Sequence, residues 1–232
     1  MLHRLPSLSR HLVWMLLLTG LLTIAGPLAP MSTSAAPRSP TIRTVAEARS
    51  QSIGTVVTID GVITVPAGAF RSGTFDAGFA VQDRTGGIYV SLGTDLGLQL
   101  QQQVRVTGHL AESFGLLILV PVDATAVEVR GKGFKVQPAQ VATGAISEAT
   151  EGLLVQVVGT ITQPVGNDLP YGYRVFLDDG SGEVQIFVYA STGIDVTGLQ
   201  PGQQVSVTGF SGQFADHYEI NPRGTDDLRP TE

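Results

Sequence analysis

The chain has 232 residues, enough for one or two domains, and a net charge of −6. It contains no cysteine, which excludes a disulfide framework, a thiolate metal site and a lipid-anchored cysteine. The charge is unevenly divided, because residues 41–137 balance to zero whereas residues 138–232 carry −9. This acidity argues against a protein that coats polyphosphate through its net charge.

The N-terminus predicts a secretory signal peptide over residues 1–35. Leu12–Leu22 is nearly all apolar, and the small residues Thr33–Pro37 favour cleavage after Ala35. The alternative is an uncleaved membrane anchor. Because Gly20, Gly26 and Pro27 interrupt the apolar run before it reaches the ~20 residues of a membrane span, we favour a secreted, extracellular protein with no stable span after signal removal.

The next segment predicts a short helix that leads into a strand. Thr44 and Glu47 form a Thr-x-x-Glu capping pattern within Thr41–Ser50. Alternation of apolar and polar residues then indicates a long strand over Gly54–Pro66 with a glycine, Gly61, in its middle. A glycine at mid-strand indicates a sharp bend.

Four further strands follow in the same part of the chain. A hairpin turns at Asp83–Gly87, a fourth strand contains Val104 and Val106, and a fifth covers Leu116–Val120. The glycines and lysines of Glu128–Pro138 are typical of a linker. We therefore expect about five strands, followed by a linker.

The same order of elements then recurs. "LQLQQQVRVTG" and "LQPGQQVSVTG" agree at eight of eleven positions with an offset of 101 residues, and two other blocks recur in the same order. The matched blocks are Gly54–Pro66 with Gly152–Pro164, Phe79–Leu92 with Val175–Val188, and Leu98–Gly108 with Leu199–Gly209. Such a pattern indicates a tandem duplication. We predict domains at 36–130 and 140–232 with a linker at 131–139; Pro138–Ser147 is the weaker counterpart of the lead-in helix.

A strand bent at a glycine, a hairpin and two more strands predict an all-β chain of two tandem five-stranded OB-fold-like Greek-key barrels with short helical lead-ins. The segments "TVAEARSQSIGTVVTIDGVIT", "FAVQDRTGGIYV" and "QQVRVTGHL" resemble OB-fold domains that accompany bacterial secreted nucleases. "LDDGSGEVQIFV" is similar to the helicase-type nucleic-acid-binding OB group. The resemblance implies nucleic-acid binding. The chain departs from it because it holds no nuclease domain and its second copy is strongly acidic.

OB barrels bind ligands on strands two and three and between the loops that join strands one–two and four–five. In the second copy, alternation predicts that Val175, Leu177, Val184, Ile186 and Val188 point inward. The residues between them then form an outward platform of aromatic rings beside a cation, which suits base stacking. The candidate ligand-binding residues are Arg174, Phe176, Gln185, Phe187 and Tyr189 in the second copy, and Phe70, Arg71, Phe75 and Tyr89 in the first.

A competing interpretation makes this platform an interface between the barrels. The fifth strand of the first copy is apolar on both faces, so that Leu116, Ile118 and Val120 form an outward apolar stripe. Such a stripe usually marks a contact surface. If it packs on Phe176 and Phe187, the platform is an interdomain contact.

No motif in the chain indicates an enzyme, a metal site or a cofactor. The acidic turn Asp178–Glu183 lacks the ligand spacing of a calcium loop, and there is no nucleophile–base pair or phosphate loop at a recognisable spacing. The first hypothesis is a secreted, non-enzymatic module that binds single-stranded DNA or RNA. The alternative is an extracellular or envelope module that binds a glycan or a protein partner.

Overall fold

The computed structural model of the chain describes residues 41–231, so the predicted signal peptide over residues 1–35 lies outside the described residues. The described residues belong to one compact unit. Within them, no helix is both long enough and apolar enough to span a membrane.

The first repeat copy folds into a closed five-stranded barrel. The strands of this copy are β1 (Ile42–Arg43), β2 (Val56–Val65), β3 (Phe79–Gln82), β4 (Gly87–Val90), β5 (Gln102–Ser113), β6 (Leu116–Val120) and β7 (Val127–Lys132), of which β2 to β6 form the barrel. The barrel runs β2–β3–β4–β6–β5 and closes where β5 pairs with β2. Strands β4 and β6 are parallel, whereas the other barrel pairs are antiparallel.

The second copy repeats this topology. Its strands are β8 (Ala139–Gln140), β9 (Leu154–Ile161), β10 (Gly166–Asp168), β11 (Gly172–Asp178), β12 (Val184–Tyr189), β13 (Gln204–Phe214), β14 (His217–Asn221) and β15 (Leu228–Pro230). The barrel runs β9–β11–β12–β14–β13 and closes where β13 pairs with β9. Both copies therefore have the strand order 1-2-3-5-4 of a Greek-key OB barrel, as the sequence predicts.

Across residues 41–231, helix is confined to short segments. α1 (Val45–Arg49) is the predicted lead-in, and its capping box between Thr44 and Glu47 is present. α2 (Arg71–Thr74) is one turn in the loop that joins β2 to β3. The other helical segments are 3-10 turns at Ala124–Ala126, Thr143–Ala145, Ala190–Thr192 and Thr225–Asp227.

Two local predictions differ from the structure. The second lead-in is a 3-10 turn rather than an α-helix, because the Thr143 hydroxyl and amide are both hydrogen-bonded to the Asp179 carboxylate in the next hairpin. The linker does not begin at Glu128, because Val127–Lys132 forms β7 and pairs with β5. A register shift and the positive φ of Gly131 accommodate the glycine-rich sequence in that strand.

The bend glycines lie where neighbouring strands approach closely. β2 pairs with β5 over its first part and with β3 over its last part, and Gly61 lies at the change. A Cβ at Gly61 would lie 3.0 Å from Val81, and one at Gly159 would lie 3.2 Å from the backbone of Asp178. Close packing between strands therefore explains the absence of a side chain at both mid-strand glycines.

Each barrel has its own apolar core. The predicted inward residues of the second copy are all buried in one cluster, and the cluster of the first copy includes Val57, Ile59, Val104 and Val106. Arg105, which has no counterpart in the second copy, forms two 2.7 Å hydrogen bonds with Asp60 on the neighbouring strand.

Candidate functional site

The outer face of the first barrel packs against the second barrel along β13 and at the end of β12. Val65, Phe70, Ala80, Tyr89, Ile118 and Phe210 form a third buried cluster, with Leu116, Val120 and Tyr189 at its edge. The Phe210 ring lies 6.3 Å from that of Phe70 and 6.1 Å from that of Tyr89, and the Tyr189 ring lies 4.9 Å from that of Phe70. The face that OB barrels use for ligands is therefore covered in the first copy.

Polar contacts also join the two barrels. Arg49 donates to Glu151 at 2.9 Å, and Arg223 donates to the Thr64 carbonyl at 2.9 Å. The backbones of Gly87 and Gly152 approach so closely that a Cβ on either would lie about 2 Å from the other's carbonyl oxygen. The packed cluster, these bonds and this backbone contact together fix one barrel against the other.

Glu151 is buried within this interface. Besides Arg49, its Oε1 atom accepts a 3.3 Å bond from the Leu117 amide, whereas its buried Oε2 atom has no hydrogen-bond partner among the described residues. Desolvation raises the pKa of Glu151, and Arg49 opposes that shift. The interface therefore contains a carboxyl group whose charged form is costly to bury.

The interface interpretation of the apolar stripe is supported, but with a different partner. Leu116, Ile118 and Val120 share their cluster with Phe210 and Tyr189. Within residues 41–231, Phe176 and Phe187 lie outside this cluster. The sequence analysis did not identify Phe210, which the repeat aligns with His109. An aromatic residue at an outward position of a predicted strand could have indicated a contact there.

The first-copy candidates divide between the interface and the surface. Phe70 and Tyr89 are buried between the barrels and offer little surface to a ligand. Tyr89 donates to Asp76 at 2.9 Å, and desolvation raises its pKa. Arg71 is exposed and forms a 3.1 Å ion pair with Asp95, while Phe75 is 76% exposed.

Four of the five second-copy candidates lie together on an open face. Arg174 pairs with Phe187 across β11 and β12, and Phe176 pairs with Gln185. Arg174 is exposed, and the other three are partly exposed. Tyr189, the fifth, contacts both the open face and the interface, since its ring lies 4.9 Å from Phe187 as well as from Phe70.

A polar cluster continues this face onto β14. Gln185 donates to Glu219 at 2.7 Å, and Asn221 donates to the other carboxylate oxygen at 2.9 Å. His217 Nε2 lies 3.0 Å from the Gln185 amide nitrogen and 3.6 Å from the Glu219 carboxylate. Glu219, and less strongly Asp216, raise the pKa of His217. The face thus alternates aromatic rings with hydrogen-bonding side chains.

The charge on this open face is modest. Arg174 is the single lysine or arginine in β11, β12 and β14, and its guanidinium lies 4.0 Å from Asp168. The partly exposed His217 carries a positive charge only when protonated. Any ligand held here is bound mainly through stacking and hydrogen bonds.

The described part of the chain has no group of three histidine, aspartate or glutamate side chains placed to hold a metal ion. The acidic turn at Asp178–Glu183 uses its carboxylates internally. Asp178 accepts from the amide of Gly180 at 2.7 Å, and Asp179 accepts from that of Ser181 at 3.0 Å. The Ser181 and Thr143 hydroxyls lower the pKa of Asp179. This arrangement stabilises a hairpin turn.

Comparison of the sequence with family models and with curated proteins finds no match. Among solved structures, the chain is similar to the p204 HINb domain, with 12% identity and a TM-score of 0.39 over 77% of this chain and 98% of that one. The Ifi202 HINa domain in complex with 20-bp dsDNA has 11% identity and a TM-score of 0.37 over 78% of this chain and 97% of that one. A replication protein A heterotrimer bound to ssDNA has 15% identity and a TM-score of 0.32 over 77% of this chain and 52% of that one. Likeness at this level carries no argument about function.

Proposed function

We propose that the protein is a non-enzymatic module that binds single-stranded nucleic acid on the open face of its second barrel. The observation that supports this proposal is the cross-strand pairing of Arg174 with Phe187, next to the pair Phe176–Gln185, on strands two and three of an OB barrel. The equivalent face of the first barrel is covered by the interface, so the second barrel supplies the site.

The chemistry of the face suits an unpaired strand. Each base that stacks on an aromatic ring contributes on the order of 1–3 kcal/mol, and any base can stack. Phe176 and Phe187 offer such rings, and Arg174 is exposed beside Phe187 on the neighbouring strand, where a backbone phosphate can pair with its guanidinium. Gln185 supplies an amide for a base edge.

The charge of the face sets the expected salt dependence. For single strands, the logarithm of the binding constant falls by about 0.7 per neutralised phosphate for each tenfold rise in salt. With Arg174 as the one lysine or arginine on the three strands, we expect a slope of about −0.7. Affinity then comes mainly from stacking.

Fluorescence anisotropy of labelled single-stranded oligonucleotides titrated with the protein tests the proposal. We expect binding that the double variant Arg174→Ala/Phe187→Ala weakens at least tenfold, as the loss of one stacked base and one phosphate contact requires. Phe134→Ala is the matched control, because Phe134 is an exposed ring on the segment between the barrels. Absence of binding at low salt, where the electrostatic contribution is largest, would refute the proposal.

A second candidate is a neutral oligosaccharide, which OB barrels also bind. The observation in its favour is the partly exposed Gln185, which is held by the buried Glu219 beside the aromatic rings on a face with little positive charge. Titration with oligosaccharides distinguishes the two, because sugar binding should be insensitive to salt, whereas nucleic-acid binding should weaken as salt rises.

Export is part of the proposal. The apolar Leu12–Leu22 and the small residues before Pro37 support a signal peptide over residues 1–35. The mass of the protein recovered from the medium tests this directly. We expect a chain that begins at Ala36; a full-length chain retained with membranes would favour the uncleaved anchor.

A further inference from the structure

Two pairs of exposed aromatic rings lie at the loop tips, and each pair takes one ring from each barrel. Phe75 of the first barrel meets Tyr171 of the second edge-on, with ring centroids 5.8 Å apart. Phe114 of the first barrel stacks on Phe214 of the second at 5.1 Å. These rings are 42–76% exposed, although aromatic rings are among the most favourable groups to bury.

Two of these rings stand on strained backbone. Phe75 has φ 58° and Phe114 has φ 49°, in the left-handed region that glycine adopts without cost. A bulky residue adopts this region only at a cost in backbone strain. Neither burial nor backbone preference explains a phenylalanine at these tips. Such residues are found where the ring itself is used, as in a binding contact.

The tips are held together by backbone contacts between the barrels. The Ala215 amide donates to the Phe114 carbonyl at 2.6 Å. At the other pair, the Ser72 hydroxyl donates to the Tyr171 carbonyl at 2.6 Å. The two barrels therefore present each pair of rings in a fixed arrangement.

The two pairs lie at opposite ends of the open face. Tyr171 directly precedes β11, which carries Arg174 and Phe176. At the other end, Phe214 is the cross-strand partner of His217, with ring centroids 6.1 Å apart, and His217 contacts Gln185. Rings and polar side chains thus follow each other from one pair to the other.

We propose that the bound strand runs along this whole path, and that each of its ends stacks on one of the two inter-barrel pairs. The proposal rests on the proposed function and extends its site to the first barrel. In the strand register, Phe214 lies level with Asp178 of β11. From Tyr171 to Asp178 the strand rises roughly 23 Å, and three strand spacings lead from β11 to β13, or roughly 14 Å, so the diagonal is roughly 27 Å. At 3.4 Å per stacked nucleotide, this path holds at most about eight nucleotides.

The spacing of the rings favours a nucleic acid over an apolar protein surface. Between the two pairs, the rings are separated by Arg174, Gln185 and His217 rather than forming one continuous apolar patch. A chain that alternates flat bases with a charged backbone matches this order. A protein helix or strand would need contiguous apolar contacts.

Anisotropy with single-stranded oligomers of three, eight and twelve nucleotides tests the path. For the wild-type protein, affinity should rise from the trimer to the octamer and then change little. The variants Phe75→Gly/Tyr171→Ala and Phe114→Gly/Phe214→Ala should each bind the octamer about tenfold more weakly, while binding to the trimer stays within twofold. Glycine suits the positive φ and the rings are substantially exposed, so both variants should still unfold in one cooperative urea transition close to that of the wild-type protein. The control Phe134→Ala should bind every length normally.

Three results would overturn the inference in distinguishable ways. If both pair variants bind the octamer normally while Arg174→Ala/Phe187→Ala does not, the site exists but ends within the second barrel. If Phe134→Ala weakens binding as much as the pair variants do, the strand lies elsewhere. If no oligomer of any length binds, the proposed function itself fails, and the aromatic path then belongs to a different ligand such as a glycan.

Discussion

Truncation of Phe210 to alanine should destabilise the whole protein, because this ring lies in the core shared by the two barrels. Phe210 is 2% exposed and lies among Phe70, Tyr89 and Ile118 of the first barrel. Phenylalanine-to-alanine changes in packed cores cost about 3–5 kcal/mol. Because the cluster between the barrels is smaller than either barrel core, we expect a value near the lower end, about 3 kcal/mol, or roughly a hundredfold in the unfolding equilibrium.

Urea denaturation followed by far-ultraviolet circular dichroism and tyrosine fluorescence measures this loss. Tyr89 and Tyr189 lie at the interface, so their fluorescence reports on it, and the chain's single tryptophan, Trp14, lies in the predicted signal peptide. Phe214→Ala is the matched control on the same strand face, where the half-exposed ring should cost about 1 kcal/mol or less. Equal losses for Phe210→Ala and Phe214→Ala would refute the shared core.

Three further predictions concern the interface and the open face. Gly87→Ala should lower the free energy of unfolding, measured by urea denaturation, by about 1–3 kcal/mol, because its Cβ would lie 1.9 Å from the Gly152 carbonyl oxygen. The control Gly86→Ala should be tolerated, because the nearest atom to its Cβ would lie at 3.5 Å. Because burial raises the pKa of Glu151 from 4.5, its contribution to stability is lost as pH rises through that raised value. The urea midpoint of Glu151→Gln relative to the wild type should therefore increase as pH rises above 4.5 and level off above the raised pKa. The raised pKa of His217 adds positive charge at pH 6, so oligonucleotide affinity should be higher at pH 6 than at pH 8, and His217→Gln should abolish that difference. A flat pH response in the wild-type protein would contradict the last prediction.

The barrel topology could be predicted because its determinants are local or repeated. Gly61 and Gly159 mark the bends in both copies, and apolar alternation identifies the inward residues of β11 and β12. The strand β7 could not be predicted in this way. Gly131 and the neighbouring lysines resemble a linker, and the segment becomes a strand because β5 offers a free edge.

Only the part of the candidate site that depends on local alternation could be predicted. Strand alternation places Arg174, Phe176 and Phe187 on one face without knowledge of the other barrel. Which face the first barrel covers depends on contacts across about 100 residues of chain, and the repeat gave no signal for Phe210. The aromatic pairs at the loop tips depend on the same packing.

One difference between the copies has a structural explanation. The ion pair Asp60–Arg105 of the first barrel is replaced by Val158 and Ser206, which face each other at the equivalent register of the second. The two positions differ together because they are cross-strand neighbours. The arginine is therefore accounted for by a contact within the barrel.

Mapping of backbone amide chemical shifts during titration with a single-stranded octanucleotide tests the central claim most directly. The account predicts that the largest changes fall on β11, β12 and β14, around Arg174, Phe187 and His217, with smaller changes at the two loop-tip pairs. Changes confined to the first barrel and the segment around Phe134, or no changes at low salt, would contradict it.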